Sequence, residues 1–282
     1  MVAIEGYKSV MAEGHSEKTS SKFAFIPTTR VVDILAKQDW LPAKVNEKRA
    51  RVAENAGFQE HLIRFRRSED MNQVAVVGEL IPEIVLKNAH DGTASFSLMA
   101  GIYRFICRNG AVVADSTFNT HRIKHIGFQD ENVIDAVFDV VKTTPLIMNK
   151  ITDFKQITLN KPEQIAFAES ALIAKYGHEE TETLNTKFNL ESLTIPIRWA
   201  DTITPNGGVG RSELAKAENT LWNTFNVLQE KLVEKGGRFA NSVNERGYVR
   251  TKKARGITSV SENIRVNQAL WALTERMADL KR

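Results

Sequence analysis

The sequence predicts an α+β protein in which a small antiparallel β-meander, packed with helices, precedes a mainly helical C-terminal portion. Short strand-like runs with a hairpin-type turn between them occupy the first half of the chain. After Gly127 the apolar residues recur at helical intervals instead, and helix start and stop signals accompany them. These two observations determine the fold class.

The domain organisation follows from the same change of pattern. Residues 1–22 are small, polar and charged without a sustained apolar period, so we expect a flexible N-terminal arm. Residues 23–282 contain no internal repeat and no clean linker, which predicts a single α+β domain. Within this domain residues 23–127 are β-rich and residues 128–282 are mainly helical.

The elements of the first half are short. Thr28 or Thr29 can cap a short amphipathic helix. Strand-like runs lie at residues 74–77, 84–86 and 94–98. Asp91-Gly92, between the last two runs, is a hairpin-type turn signal. The stretch 99–108 fits a helix or a strand, and both alternatives place Arg104 and Arg108 on one face.

The second half predicts four helices separated by loops. The first follows Asp130 and is ended or kinked by Pro145, and the second begins near Pro162. Ser212 can cap a long third helix that stops at Gly236-Gly237, and a basic loop over residues 238–257 leads to the last helix. The apolar seams of the last two helices are Leu214, Leu221, Phe225, Leu228 and Leu232, and then Leu270, Leu273, Met277 and Leu280 with Trp271 beside them.

Charge is distributed unevenly along the chain. The whole sequence has 38 basic and 34 acidic residues, a net charge of +4. Residues 231–282 hold twelve Lys/Arg and five Asp/Glu, a local excess of +7 that leaves −3 for the first 230 residues. This asymmetry is typical of contact with a polyanion near the C-terminus, and a solvated basic face is the equally simple alternative.

A cationic cluster within this segment is the candidate nucleic-acid-binding site. Basic side chains attract backbone phosphates through counterion release, and an aromatic residue among them can stack on an exposed base. The cluster contains Arg246, Tyr248, Arg250, Lys252, Lys253 and Arg255. A second basic surface would draw on Arg64, Arg66, Arg67, Arg104, Arg108, Arg122 and Lys124, of which we assign Arg104, Arg108, Arg122 and Lys124 to the site.

Enzymatic interpretations find little support. The single cysteine, Cys107, excludes a disulfide framework, and it is either a nucleophile served by His121 or His125 or a small buried residue, which we favour. The two histidines are spaced like metal ligands, and His90 would make a third, but no nearby acid or cysteine completes a tetrahedral set. The glycine-rich loop 206–212 is a weak anion site or a capped connector. We therefore expect no catalytic residues, no metal and no cofactor.

Several segments together resemble a known family. They stand in order along the chain, from Ser20 to its end: 20–28, 61–66, 88–92, 101–110, 221–230 with Gly236-Gly237, 255–259 and 267–271. This succession resembles the phage/plasmid-like protein family, a domain of unknown function of prophages and plasmids. The resemblance extends, more distantly, to the single-strand annealing proteins of the phage Beta and Erf type, which pair a small β-meander with a helix and form rings or filaments on DNA.

The resemblance and the cationic cluster together give the functional expectation. It is a DNA-binding protein of a bacterial mobile element, active in single-strand DNA binding and annealing during homologous recombination. Single-stranded DNA and further copies of the chain, in a ring or filament, would be its partners, with an exonuclease or replication protein as a further one. The alternatives are a regulatory or host-interaction protein and a metal-dependent nuclease. Lacking a membrane span and a signal-peptide core, the protein is expected in the cytoplasm.

Overall fold

The computed structural model describes residues 2–50, 55–71, 80–104, 109–113, 121–123, 130–185, 193, 219–234, 238–243, 249–253 and 256–282. The chain divides into two compact units. The first contains Met1–Arg104, Gly110–Leu146 and Thr258–Val260, and the second contains Phe105–Asn109, Ile147–Ile257 and Ser261–Arg282. This division falls within the single domain expected for residues 23–282.

The first unit is built on an antiparallel sheet. Its strands are β1 (Trp40–Glu47), β2 (His61–Arg67), β3 (Leu80–Asn88), β4 (Phe96–Arg104), β5 (Asn109–Val113) and β6 (His121–Ile123). The first five lie side by side in chain order, and β6 also pairs with β4. An antiparallel meander followed by helices confirms the predicted α+β class.

The central strands are buried on both faces, and their sequences reflect it. Strand β3 reads Leu-Ile-Pro-Glu-Ile-Val-Leu-Lys-Asn, and Ile84, Val85 and Leu86 in its centre have no exposed surface. β-Branched and apolar residues favour such a strand. The turn between β3 and β4 contains Gly92 at a φ of 76°, a conformation that glycine adopts without strain. The predicted hairpin around Asp91-Gly92 is therefore confirmed.

The N-terminal segment differs from the expected flexible arm. Val10 is fully buried, and the backbone N–H of Ser9 donates to Glu47 Oε1 at 2.7 Å. Further along, the backbone N–H of Ser16 donates to the carbonyl oxygen of His90 at 2.8 Å. Residues 2–22 thus lie against the first unit. Hydrogen bonds from backbone N–H groups and the isolated buried residue Val10 attach them, and neither leaves a periodic apolar signal in the sequence.

Two short helices lie beside β1 and β2 in the first unit. Helix α1 (Thr28–Lys37) buries Val31, Val32 and Leu35, as its amphipathic pattern predicts, and lies next to β1. Helix α2 is a single turn, Ser68–Met71, directly after β2.

The remaining helices are α3 (Asp130–Gln156), α4 (Lys161–Tyr176), α5 (His178–Asn185), α6 (Leu221–Gln229) and α7 (Val260–Leu280). Helix α3 continues through Pro145, so this residue does not end it. The predicted start of α4 is confirmed, because Asn160 caps it with a reciprocal capping box to Glu163. Helix α6 begins after the cap Thr220 and continues into one π-helical turn, Glu230–Glu234. Ser212 lies outside the described residues.

The core of the second unit is aromatic. The ring of Trp271 on α7 contacts Phe154 on α3 at 5.3 Å between centroids and Phe225 on α6 at 6.0 Å. Leu270 and Trp271 are fully buried, whereas Leu280 is 67% exposed. The first turns of the α7 seam therefore belong to the core of their own unit and are not available for self-association. None of the described helices is long and apolar enough to cross a membrane.

Candidate functional site

The basic segment near the C-terminus forms a β-hairpin, so the prediction of a loop over residues 238–257 was wrong. Strand β7 (Arg238–Val243) pairs antiparallel with β8 (Val249–Lys253). Strand β8 reads Val-Arg-Thr-Lys-Lys and lacks the apolar alternation that usually announces a strand. The apolar pattern of the sequence therefore did not predict its pairing with β7.

The register of the hairpin sorts its cationic residues into two faces. Phe239 pairs with Lys252, and Arg250 precedes Lys252 by two positions, so these three residues share one face. Arg238 pairs with Lys253 on the opposite face. A bulge between Ala240 and Ser242 lies wholly in β7 and leaves the alternation of β8 intact. One face thus combines two cations with an aromatic residue, and the other combines two cations alone.

The other predicted site residues are distributed as follows. Arg104 is the last residue of β4, opposite Leu80, and Arg122 on β6 pairs with Ser97 of β4. Positions 97 and 104 are seven residues apart, so Arg104 and Arg122 fall on opposite faces and about 23 Å apart along the strand. They do not form one surface. Arg108, Lys124, Arg246, Tyr248 and Arg255 lie outside the described residues, as do Cys107, His125 and the loop 206–212.

Two arginines of the expected second basic surface are engaged inside the sheet. Arg64 Nη1 lies 2.7 Å from Glu83 Oε2, and Arg66 Nε lies 2.8 Å from Glu83 Oε1. The Glu83 side chain is fully buried, and the Arg66 guanidinium also stacks 3.7 Å over the ring of Tyr103. Because one carboxylate holds both guanidinium groups, we exclude Arg64 and Arg66 as phosphate ligands in this conformation. Their partner comes from another strand, which sequence spacing does not reveal.

A buried polar cluster joins the start of α1 to β2 and the end of β3. Thr28 Oγ1 lies 2.8 Å from His61 Nε2 and 3.3 Å from His90 Nε2. The Asn88 amide donates at 3.1 Å both to Thr28 Oγ1 and to the carbonyl oxygen of Ile26. All four of these side chains are fully buried.

The acceptors around this cluster determine its protonation. His61 Nδ1 lies 3.2 Å from the carbonyl oxygen of Gln59, which can only accept, so Nδ1 carries the proton. His61 Nε2 then accepts the Thr28 hydroxyl proton, and Thr28 Oγ1 accepts from Asn88 and from His90 Nε2–H. Burial lowers the pKa of His61 to about 4, although Gln59, Glu47 and Asp91 act in the opposite direction. The cluster is thus built for a neutral His61 imidazole.

The positions of the histidines bear on the hypothesis that they bind a metal ion. His90 contacts Thr28 through Nε2, while His121 pairs with Leu98 at the β4–β6 ladder. Within the described ranges, no group of three or more His, Cys, Asp or Glu residues is placed to hold a metal ion. His125, the third member of the proposed set, is outside those ranges.

Two lysines in the second unit have lowered pKa values that the sequence did not suggest. Burial lowers the pKa of Lys175 to about 8, partly offset by Glu262, and its Nζ donates to the carbonyl oxygen of Leu232 at 2.5 Å. Burial and the neighbouring charge of Lys161 lower the pKa of Lys231 to about 8. Lys231 lies in the π-helical turn after α6, a distortion often found at functional sites.

The chain matches a family model over residues 16–271, described as a domain of unknown function, DUF932. The chain belongs to the DUF932 family. The match confirms the expected membership of a family of unknown function, whereas the likeness to annealing proteins stays a prediction.

Two curated relatives of this DUF932 protein come from Escherichia coli (strain K12). The UPF0380 protein YfjQ is 28% identical over 271 residues, which cover 95% of this chain and 87% of the relative. The UPF0380 protein YafZ is 28% identical over 269 residues with the same coverage. No solved structure is significantly similar to the chain.

Proposed function

We propose that this protein binds single-stranded DNA through the face of the β7–β8 hairpin that contains Phe239, Arg250 and Lys252. The observation that carries the proposal is the strand register, which aligns an aromatic residue with two cations. The cations would contact phosphates, and the aromatic ring would stack on a base. The local charge excess of +7 over residues 231–282 supports the same polarity of partner.

Strand annealing in recombination, on behalf of a mobile element, is the more specific part of the proposal. Annealing requires DNA strands to be held with their bases accessible, and it requires neither a catalytic residue nor a cofactor. Its support is the resemblance of the chain to phage and plasmid proteins and the meander-plus-helix arrangement of the first unit.

The test compares two hairpin variants that remove the same charge. Arg250→Ala/Lys252→Ala neutralises the aromatic face, and Arg238→Ala/Lys253→Ala neutralises the opposite face. Binding to a fluorescent single-stranded oligonucleotide is measured by anisotropy over a salt series. Each lost phosphate contact should reduce the slope of log affinity against log salt by roughly 0.7, so the first variant should lose about 1.4.

The matched variant should retain most of the wild-type slope. Phe239→Leu should weaken binding while leaving the slope unchanged, because stacking releases no counterion. Equal losses in both double variants would indicate non-specific attraction to the hairpin and would contradict the assigned face. If wild-type protein binds no oligonucleotide even at low salt, the proposal fails and the regulatory alternative replaces it. Annealing of complementary oligonucleotides then tests the more specific part.

A further inference from the structure

Helix α3 has an apolar stripe in addition to the one that it buries. Val133, Val137 and Val140 are buried in the first unit. On a neighbouring face, Phe138 is 51% exposed. Exposed apolar groups arranged in a continuous stripe indicate an interaction surface more strongly than scattered ones do.

The spacing of this stripe is that of a coiled-coil seam. Ile134, Phe138, Val141 and Pro145 follow one another at intervals of four, three and four residues. Ile134 and Val141 are half-buried, and Phe138 and Pro145 are exposed. Alternating intervals of three and four keep apolar residues in line along one side of a helix, where a second helix can pack.

We propose that this stripe is a homodimer surface on which α3 of a second copy packs in the antiparallel direction. In this arrangement Phe138 of each copy lies against Val141 of the other, and Ile134 lies against Pro145. A two-fold axis perpendicular to the helices relates the contacts. A closed two-fold interface needs such a self-complementary patch, in which residue i meets j and j meets i.

Charge complementarity identifies the partner as a second copy and sets the direction. Asp135 and Lys142 are both exposed, lie seven residues apart and flank the same edge of the stripe. Antiparallel packing brings Asp135 of each copy to Lys142 of the other, which gives two opposite-charge pairs. Parallel packing would place Lys142 beside Val137 of the other copy, which is uncharged and cannot form an ion pair with it. The stripe is about 17 Å long, so the dimer should be weak, with a dissociation constant on the order of micromolar.

The experiment uses charge reversal in the full chain, without DNA, so its outcome is independent of the hairpin. Sedimentation velocity over a micromolar concentration series is recorded for wild type, Asp135→Lys and Lys142→Asp. Each single reversal converts two attractive pairs into two repulsive ones, so we expect the dissociation constant to rise about tenfold or more. Mixing the two single variants restores both pairs in a heterodimer, and the double variant Asp135→Lys/Lys142→Asp restores the homodimer.

Two controls separate the surface from the fold. Asp33→Lys reverses an exposed charge on α1 and should dimerise as wild type does. Phe138→Ser should abolish dimers even in the double-reversal background, with an unchanged circular dichroism spectrum. The proposal is overturned by a wild-type protein that stays monomeric throughout the series. A mixture of single variants that fails to associate, or single variants that dimerise normally, would overturn it equally.

Discussion

Mild acid should destabilise the first unit through His61. In the folded protein this imidazole is neutral. It accepts a hydrogen bond from the Thr28 hydroxyl group and donates one to the Gln59 carbonyl group, and its pKa is about 4 instead of 6.5. The unfolded chain therefore binds a proton more readily between these two values. The stabilisation is complete above about pH 6.5, declines as the pH falls through this window, and is lost below about pH 4.

The pKa difference gives the magnitude. A pKa difference of one corresponds to about 1.4 kcal/mol, so the full contribution of His61 to the free energy of unfolding is about 3 kcal/mol. The hydrogen bonds of the cluster explain why the protonated form of His61 is unfavourable in the folded protein. A proton on His61 Nε2 would add a third donor around Thr28 Oγ1, which already accepts from Asn88 and His90. That hydroxyl oxygen has only two lone pairs.

The assay is urea unfolding followed by circular dichroism at a series of pH values, for wild type and for His61→Gln. Glutamine can still accept from Thr28 but does not titrate, so subtracting its curve removes the contributions of all other groups. The stability advantage of wild type over the variant should shrink by about 3 kcal/mol between pH 6.5 and 4. Stability curves of wild type and His61→Gln that run parallel over this pH range would refute the reasoning. An NMR titration that gives His61 in the folded protein a pKa near 6.5 would refute it equally.

Two further substitutions test the interiors of the units. Glu83→Gln removes the carboxylate shared by Arg64 and Arg66, and we expect a loss of about 3–5 kcal/mol in urea unfolding, because two guanidinium groups stay enclosed without a counter-charge. A loss below about 1 kcal/mol would mean that solvent already compensates these charges. Leu270→Ala should cost about 2–5 kcal/mol of stability and leave the mass in solution unchanged, because Leu270 lies in the core. A change in sedimentation at unchanged stability would instead place α7 in a subunit interface.

Helices were predictable from the sequence where one face is apolar and the ends carry strong signals. The start of α4 is indicated by three neighbouring residues that favour a helix N-terminus: Asn160, Pro162 and Glu163. The seam of α6 likewise packs as its spacing indicates, with Leu221, Phe225 and Leu228 buried. In both cases the residues that carry the signal lie within a few positions of one another in the sequence.

Strands that depend on distant partners were not predictable. Strand β1 contains Pro42 and Lys44, and β8 is mostly cationic, so neither shows an apolar alternation. The candidate site depended on the same information. Only the pairing of β7 with β8 reveals that Phe239 shares a face with Arg250 and Lys252, and the bulge in β7 makes this alignment unreadable from spacing.

The ion pairs and histidines inside the sheet also restrict how its strands can slide. A shift of β2 against β3 by two residues would keep every side chain on its own face, so hydrophobic burial alone would accept the slipped sheet. A slip in the direction that brings Glu83 level with Ser68 would leave it four positions from Arg64, too far along the strand to hold both guanidinium groups. A slip in the other direction would place His61 opposite Leu86, and its cross-strand pairing with Asn88 would be lost. We therefore expect β2 and β3 to tolerate polar substitutions only in matched sets that preserve one alignment.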